Sequence, residues 1–282
     1  MMKAVDIKSM KVSQDVVLSN DKPFVLIAGP CQMESRDHSM KMAESLKKIT
    51  SDLNIPLIYK SSFDKANRTS VSGKRGIGLE KSLPIFEEIK KTFNLPVLTD
   101  VHTEQNIEDV KNVVNVIQIP AFLCRQTDLL KKAAESGLPI NIKKGQFLAP
   151  QDAKNIAQKF ESFDNNNISL TERGVSFGYN NLIVDIRSFP IMKETGYPVI
   201  IDATHATQSP GGLGGASGGN RDYAPILANA ALTTGIAGVF MEVHENPDIA
   251  PSDGPCMIKL ENLKQILTRM KMIDQMIKNP NF

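Results

Sequence analysis

The chain lacks the marks of several protein classes. Its three cysteines, Cys31, Cys124 and Cys256, are far apart, odd in number and form no CxxC pair, which excludes a disulfide framework and a zinc ribbon. No apolar run approaches the roughly 18 residues that span a bilayer. Residues 1–20 mix Lys, Asp and Ser with apolar side chains where a signal peptide needs an apolar core, so a cytoplasmic protein is expected. The net charge is only +2, which gives no support for nucleic-acid or membrane binding. There is no GxGxxG, no HExxH or HxH, and no low-complexity linker, and no organic cofactor is expected. What remains, 282 residues at 41% hydrophobic and 23% charged, is the composition of an ordinary globular protein.

Against this background, short runs rich in Val, Ile and Leu recur along the chain. They occupy residues 24–28, 55–59, 96–99, 116–119, 139–142, 168–171, 198–202 and 238–243. Continuous apolar runs suit parallel strands covered on both faces. Between them, residues 40–49, 83–92, 104–112, 127–135, 153–160, 223–233 and 260–277 repeat apolar positions three or four apart, the period of an amphipathic helix. Residues 182–193 supply the remaining crossover, with Pro190 expected to end or kink its helix. Ser39, Thr103, Thr127 and Ser82 stand where helix N-caps belong.

Eight strand–helix units predict an α/β fold, a (β/α)8 TIM barrel in which residues 1–282 form one domain. The alternating residues 4–18 predict a short N-terminal β-hairpin, with residues 1–22 as a cap on the barrel's amino end. A doubly wound open sheet is the alternative, without a dinucleotide motif to support it.

Chemistry in such a barrel collects at the carboxyl ends of the strands. The segment 59–70 follows the second strand and brings together Lys60, Lys65 and Arg68 with an amide and the hydroxyls of three Ser and a Thr. An isolated buried charge is costly, so these cations face either water or an anion. Lys60, Lys143 and Arg173 end three different strands, and their convergence asks for a phosphate or carboxylate to offset their repulsion. Cys31, His205 and Glu242 lie at equivalent heights, with Asp253 close behind the eighth strand. A thiolate, an imidazole and two carboxylates suit Zn, Fe, Co or Mn rather than Mg or Ca. The Gly-rich residues 208–221 read either as a surface loop or as a flap over the mouth. Phe177 and Tyr179 read as packing residues.

Several blocks carry a family resemblance. IAGPCQMES (27–35), KSSFDKANRTS (60–70), TDVH (99–102), IQIPAFLCRQTDLL (117–130) and NIKKGQFLAP (141–150) are similar to those of the 3-deoxy-D-manno-octulosonate 8-phosphate synthases. So are TERGVSFGYNNLIVD (171–185), DATHATQSPGG (202–212) and MEVHENPDIAPSDGP (241–255). The blocks run in order from about residue 24 into the last helix. The resemblance implies a (β/α)8 transferase that condenses phosphoenolpyruvate with D-arabinose 5-phosphate and releases phosphate. Such enzymes are cytoplasmic homotetramers serving lipopolysaccharide synthesis.

By position, the resemblance implies a phosphoenolpyruvate pocket of Lys60, Ser62, Lys65, Gln118, Pro120, Ala121, Lys143 and Arg173. Lys65, Asn67, Arg68, Thr69 and Asp100 take the acceptor's place, with Arg68 and Thr69 reaching the sugar phosphate. Gln208 joins the substrate set, and Lys60, Lys65, Asp100, Lys143, His205 and Asp253 the catalytic one. Members with Asn at the position of Cys31 work without metal and those with Cys use a divalent ion, so the resemblance implies a metal held by Cys31, His205, Glu242 and Asp253. The related synthases that use erythrose 4-phosphate carry a KPRTS-like loop, where this chain has KANRTS.

Overall fold

The computed structural model describes residues 5–67, 73–210 and 218–279. Eight parallel strands close into a barrel. They are β1 (Val25–Gly29), β2 (Leu57–Lys60), β3 (Val97–Asp100), β4 (Val116–Ile119), β5 (Ile140–Lys143), β6 (Ile168–Glu172), β7 (Val199–Asp202) and β8 (Gly238–His244). Each pairs with the next, and β8 closes the ring on β1, where Glu242 stands beside Gly29.

The helices are α1 (Arg36–Asp52), α2 (Leu79–Phe93), α3 (Glu104–Val110), α4 (Thr127–Glu135), α5 (Ala153–Ser162), α6 (Ser188–Lys193), α7 (Tyr223–Leu232) and α8 (Leu260–Lys278). The expected barrel is therefore the observed one.

Strand parity organises the interior. Leu26, Tyr59, Val97, Ile117, Ile142, Leu170, Ile201 and Met241 join the cluster that packs under the helices. The alternate residues point into the barrel. At the amino end they are Val25, Ile27, Ile58, Leu98, Val116, Ile200 and Phe240. One pleat further on, the same face carries Lys60, Asp100, Gln118, Lys143, Asp202 and Glu242, all buried. The core thus turns from apolar to polar along its own axis.

The amino end is stoppered by the expected hairpin, Met10–Lys11 paired antiparallel with Val17–Leu18. Met10, Val16 and Leu18 pack into the same cluster as Val25, Ile58 and Phe240. Fully burying a side chain of this size contributes about 1.5–3 kcal/mol.

Helix starts depart from the sequence expectation. Thr103 caps α3 with a reciprocal capping box through Asn106. Ser35, not Ser39, caps α1 by accepting from the His38 amide. The first turn, Arg36–Ser39, holds no apolar residue, so hydrophobic periodicity cannot register it. Ser82 lies inside α2, which starts after Gly78, and Thr127 is the first residue of α4 rather than its cap. Pro190 neither ends nor kinks α6: it is the third residue of that short helix, where an amide has no intrahelical acceptor to lose. Phe177 and Tyr179 do not pack, at 81% and 99% exposed.

Candidate active site

A cavity of about 850 Å3 opens at the carboxyl end of the barrel. Its walls include Lys60, Lys65, Asn67 and Asp100 from the second and third units, and Gln118, Pro120, Ala121 and Lys143 from the fourth and fifth. Arg173, His205, Gln208 and Asp253 complete them. Cys31, Ser62 and Glu242 are buried beside this lining. Arg68 and Thr69 lie outside the described residues, as does the middle of the expected flap. The ends of that loop, Gln208–Ser209 and Gly218–Gly219, pair with each other.

Local geometry explains how these side chains are aimed. A methyl group on Gly29 would lie 1.9 Å from the Lys60 carbonyl oxygen, so only glycine lets β1 and β2 meet closely at the level of the site. Lys60 Nζ then reaches the Cys31 carbonyl, Ser62 Oγ and Glu242 Oε1, each at 3.1 Å. Ser62 in turn donates to Asp100 Oδ1, whose other oxygen lies 3.2 Å from His102 Nε2. Burial alone would raise the Asp100 carboxyl, but the His102 hydrogen bond and the Lys60 and Lys65 charges hold it well below its ordinary value. Gln118 donates to Asn141 Oδ1 at 2.8 Å, and Asn141 donates to Ser169 and Thr171, so this polar layer inside β4–β6 is satisfied within itself.

The cations are not held apart by a missing anion alone, as their convergence in sequence suggests. Glu242 faces Lys60, and Lys65 Nζ lies 4.0 Å from the same oxygen. Lys143 Nζ sits 2.6 Å from Asp202 Oδ2 and 4.0 Å above the Phe240 ring. Burial still lowers the Lys143 ammonium below its usual value, with Asp202 working against that shift. Lys144, next in sequence, points elsewhere and pairs with Glu172, whose Oε1 accepts the Arg173 and Gly174 amides.

Arg173 is the exception. It is 6% exposed, and its Nη2 donates to Gln208 Oε1 at 2.8 Å. Nε and Nη1 have no hydrogen-bond partner among the described residues. Burial depresses even this guanidinium, against the charges of Asp202 and Asp253. A buried guanidinium on a cavity wall, with two donors that no described residue satisfies, suits a planar or tetrahedral oxyanion.

Beside it, Cys31, His205, Glu242 and Asp253 each offer a ligand atom within 4.8 Å of the others. Cys31 Sγ lies 3.2 Å from Asp253 Oδ2 and 3.1 Å from Ser252 Oγ. His205 Nε2 lies 3.5 Å from Glu242 Oε1 and 3.9 Å from Asp253 Oδ2. Asp253 adopts a left-handed backbone, φ 51°, a conformation that costs a non-glycine residue and recurs at functional sites.

Burial and the Glu242 charge push the Cys31 thiol well above its ordinary value. Thiolate formation there requires an arriving cation to displace the proton. One soft and three harder donors converging on one point, with two carboxylates, fit a borderline divalent ion.

A second gathering, Glu34, His38 and His244, reads differently. His244 Nδ1 accepts the Asn246 amide at 2.9 Å, so its Nε2 carries the proton facing Glu34 Oε1, also at 2.9 Å. That neutral imidazole has no lone pair left for an ion.

Sequence reasoning placed Asp202 at a strand end without giving it a role. It also missed Ser252 and Gln146, which face the cavity. The recoverable signal was the three-residue spacing from Asp202 to His205 on one strand end.

A family model described as the DAHP synthetase I family matches residues 5–279. A 2-dehydro-3-deoxyphosphooctonate aldolase of Rickettsia bellii (strain OSU 85-389) is 58% identical over 265 residues, 94% of this chain and 97% of its own. That of Rickettsia prowazekii is 58% identical over 264 residues, 94% and 96% of the two chains. The Rickettsia felis protein of the same name is 55% identical over 278 residues, 99% of each.

Proposed function

The chain belongs to the DAHP synthetase I family and, within it, to the 2-dehydro-3-deoxyphosphooctonate aldolases, and from this we propose what its barrel mouth does. It condenses phosphoenolpyruvate with D-arabinose 5-phosphate and water, giving 3-deoxy-D-manno-octulosonate 8-phosphate and inorganic phosphate, a step of Kdo and lipopolysaccharide synthesis. The observation that carries the site assignment is Arg173, a buried guanidinium whose Nε and Nη1 are unpartnered on the cavity wall.

Phosphoenolpyruvate brings a carboxylate and a phosphate, and Arg173, Lys143, Lys60 and Lys65 receive them, with Ser62, Gln118, Pro120 and Ala121 shaping the pocket. Each charge-assisted hydrogen bond contributes about 1.5–3 kcal/mol, and donors already aimed at the developing charge need no reorganisation during reaction. The acceptor lies toward Asn67 and Asp100, with Arg68 and Thr69 on its phosphate and Gln208 at the rim. C3 of phosphoenolpyruvate forms a bond to the acceptor aldehyde carbon, whose oxygen takes a proton. Water adds at C2 and loses a proton, and the resulting hemiketal phosphate releases phosphate by C–O cleavage. His205 and Asp253, both on the cavity wall, are the groups assigned to hold or move those protons.

The donor set supports assignment to the metal-dependent members, with Cys31, His205, Glu242 and Asp253 holding Zn, Fe, Mn or Co. Such an ion, when bound, supplies Lewis acidity toward a carbonyl oxygen or a water. The reading extends, on the family resemblance, to a single-domain cytoplasmic homotetramer. No helix among the described residues is long and apolar enough to cross a membrane.

One assay tests the activity: released phosphate is measured with phosphoenolpyruvate and either arabinose 5-phosphate or erythrose 4-phosphate. Turnover with the five-carbon acceptor is expected. Preference for the four-carbon one, or binding without turnover, would reject the reading.

A further inference from the structure

Asp202 closes β7 with its side chain inside the barrel and no solvent exposure. Its Oδ1 is hydrogen-bonded, while its Oδ2 makes two close ion-pair contacts without an aligned hydrogen bond. Oδ1 accepts the His205 backbone N–H at 3.0 Å and lies 3.3 Å from the Thr204 hydroxyl. Oδ2 lies 2.7 Å from His205 Nδ1 and 2.6 Å from Lys143 Nζ. Lys143 Nζ and His205 Nδ1 are themselves 3.3 Å apart. One carboxylate oxygen therefore sits between the ammonium that faces the anion pocket and the imidazole that faces the Cys31–Glu242–Asp253 group. The Phe240 ring backs both, 4.0 Å from Lys143 Nζ and 5.9 Å from the His205 ring centre, and shuts water out from the amino side.

A neutral imidazole has one N–H and one lone pair. A carboxylate at Nδ1 retains the proton there, which leaves the lone pair on Nε2, the atom facing Glu242 and Asp253. Carboxylates in this position orient ligating histidines and raise their basicity. The same oxygen offsets the Lys143 charge, so Lys143 is kept in place but presents less net charge to an incoming anion.

We propose that Asp202 is a positioning residue with two opposed effects: it directs His205 Nε2 to the divalent ion, and it restrains the attraction of Lys143 for phosphoenolpyruvate. This rests on the metal and substrate reading given above. It predicts that removing the Asp202 charge weakens metal binding while leaving anion binding at least as strong, a split that general disruption of the site does not produce.

The test is Asp202→Asn, read at equilibrium without turnover. Cobalt(II) affinity is measured by competition with a chromophoric chelator, together with the thiolate-to-cobalt absorption that reports Cys31. Phosphoenolpyruvate affinity is measured by calorimetry on metal-stripped protein. The expected result is a roughly 10–100-fold loss of cobalt affinity, with the thiolate band retained at saturation and phosphoenolpyruvate bound equally or more tightly.

Asp202→Asn leaves Lys143 buried without its counter-charge, which destabilises the fold. The pair Lys143→Met and Lys143→Met/Asp202→Asn therefore repeats the metal measurement with that ammonium absent, and the same loss between the two is expected. Cobalt affinity unchanged within twofold in both comparisons overturns the proposal. So does a parallel loss of cobalt and phosphoenolpyruvate binding in Asp202→Asn. Wild-type protein that binds no cobalt at all rejects the metal reading itself, and the Asp202 assignment with it.

Discussion

The two ends of this barrel are made from the same strands by the same alternation, yet they do opposite work. At the amino end the inward positions are Val25, Ile58, Leu98, Val116 and Ile200, sealed by Met10 and Leu18 of the hairpin. At the carboxyl end the inward positions are Lys60, Asp100, Lys143, Asp202 and Glu242, all under 10% exposed. The first set gains stability from leaving water. The second gains little or loses by it, because the desolvation cost of buried charges can exceed what their pairing recovers. The lesson is a division of labour along one axis: the apolar end holds the fold, and the polar end is held by it in an arrangement it would not adopt alone.

Changes at the polar end that orphan no buried charge should abolish activity and spare stability. The largest effect expected is from prolonged chelation, which should remove nearly all phosphoenolpyruvate-dependent phosphate release, with Mn, Co, Fe or Zn restoring some of it. Full activity in protein shown by elemental analysis to be metal-free would contradict this. Cys31→Asn sharpens the same point, since the family resemblance implies Asn there in metal-free members: partial activity in the presence of chelator is expected, and a folded variant inert without metal counts against it.

Arg173→Ala should lower kcat/KM by roughly 10²–10⁴, the loss of two charge-assisted bonds at about 1.5–3 kcal/mol each. Its melting temperature should hold or rise, because an unsatisfied buried guanidinium has been removed. Steady-state kinetics and calorimetric melting decide the matter, and a variant that melts early with normal kcat/KM would reverse the assignment.

The apolar end should answer in the opposite way. Leu18→Ala should cost about 2–5 kcal/mol of stability through the cavity it leaves, with kcat within twofold of wild type at temperatures where it is folded. Denaturant unfolding alongside the phosphate assay checks this, and a large kcat defect in stable protein would erase the contrast between the ends. The smallest effect expected is Ser35→Ala, a helix cap removed from α1, at about 1 kcal/mol with unchanged turnover.

The comparison also explains what could be read beforehand. All eight strands lie within two residues of their expected positions, because strands covered on both faces must be apolar on both. The small errors are informative: runs expected to end at residues 59, 99, 142 and 171 extend one residue, to Lys60, Asp100, Lys143 and Glu172. An apolar-run criterion stops where the strand turns polar, and in the first three that residue lines the cavity, while Glu172 pairs with Lys144 instead. The start of α1 escaped for a related reason, since its first turn is capped by Ser35 and carries only polar side chains.

The sequence by itself determined the barrel, the hairpin and the residue types gathered at the mouth, because alternation and recurrence are local and survive in one dimension. Only the tertiary structure decided the pairings. Asp202 stands between Lys143 and His205, Lys60 meets Glu242 across 182 positions, and Arg173 keeps Nε and Nη1 without a partner among the described residues. Such contacts depend on closing a ring of strands in register, and no periodicity along the chain records which strand ends face each other across it.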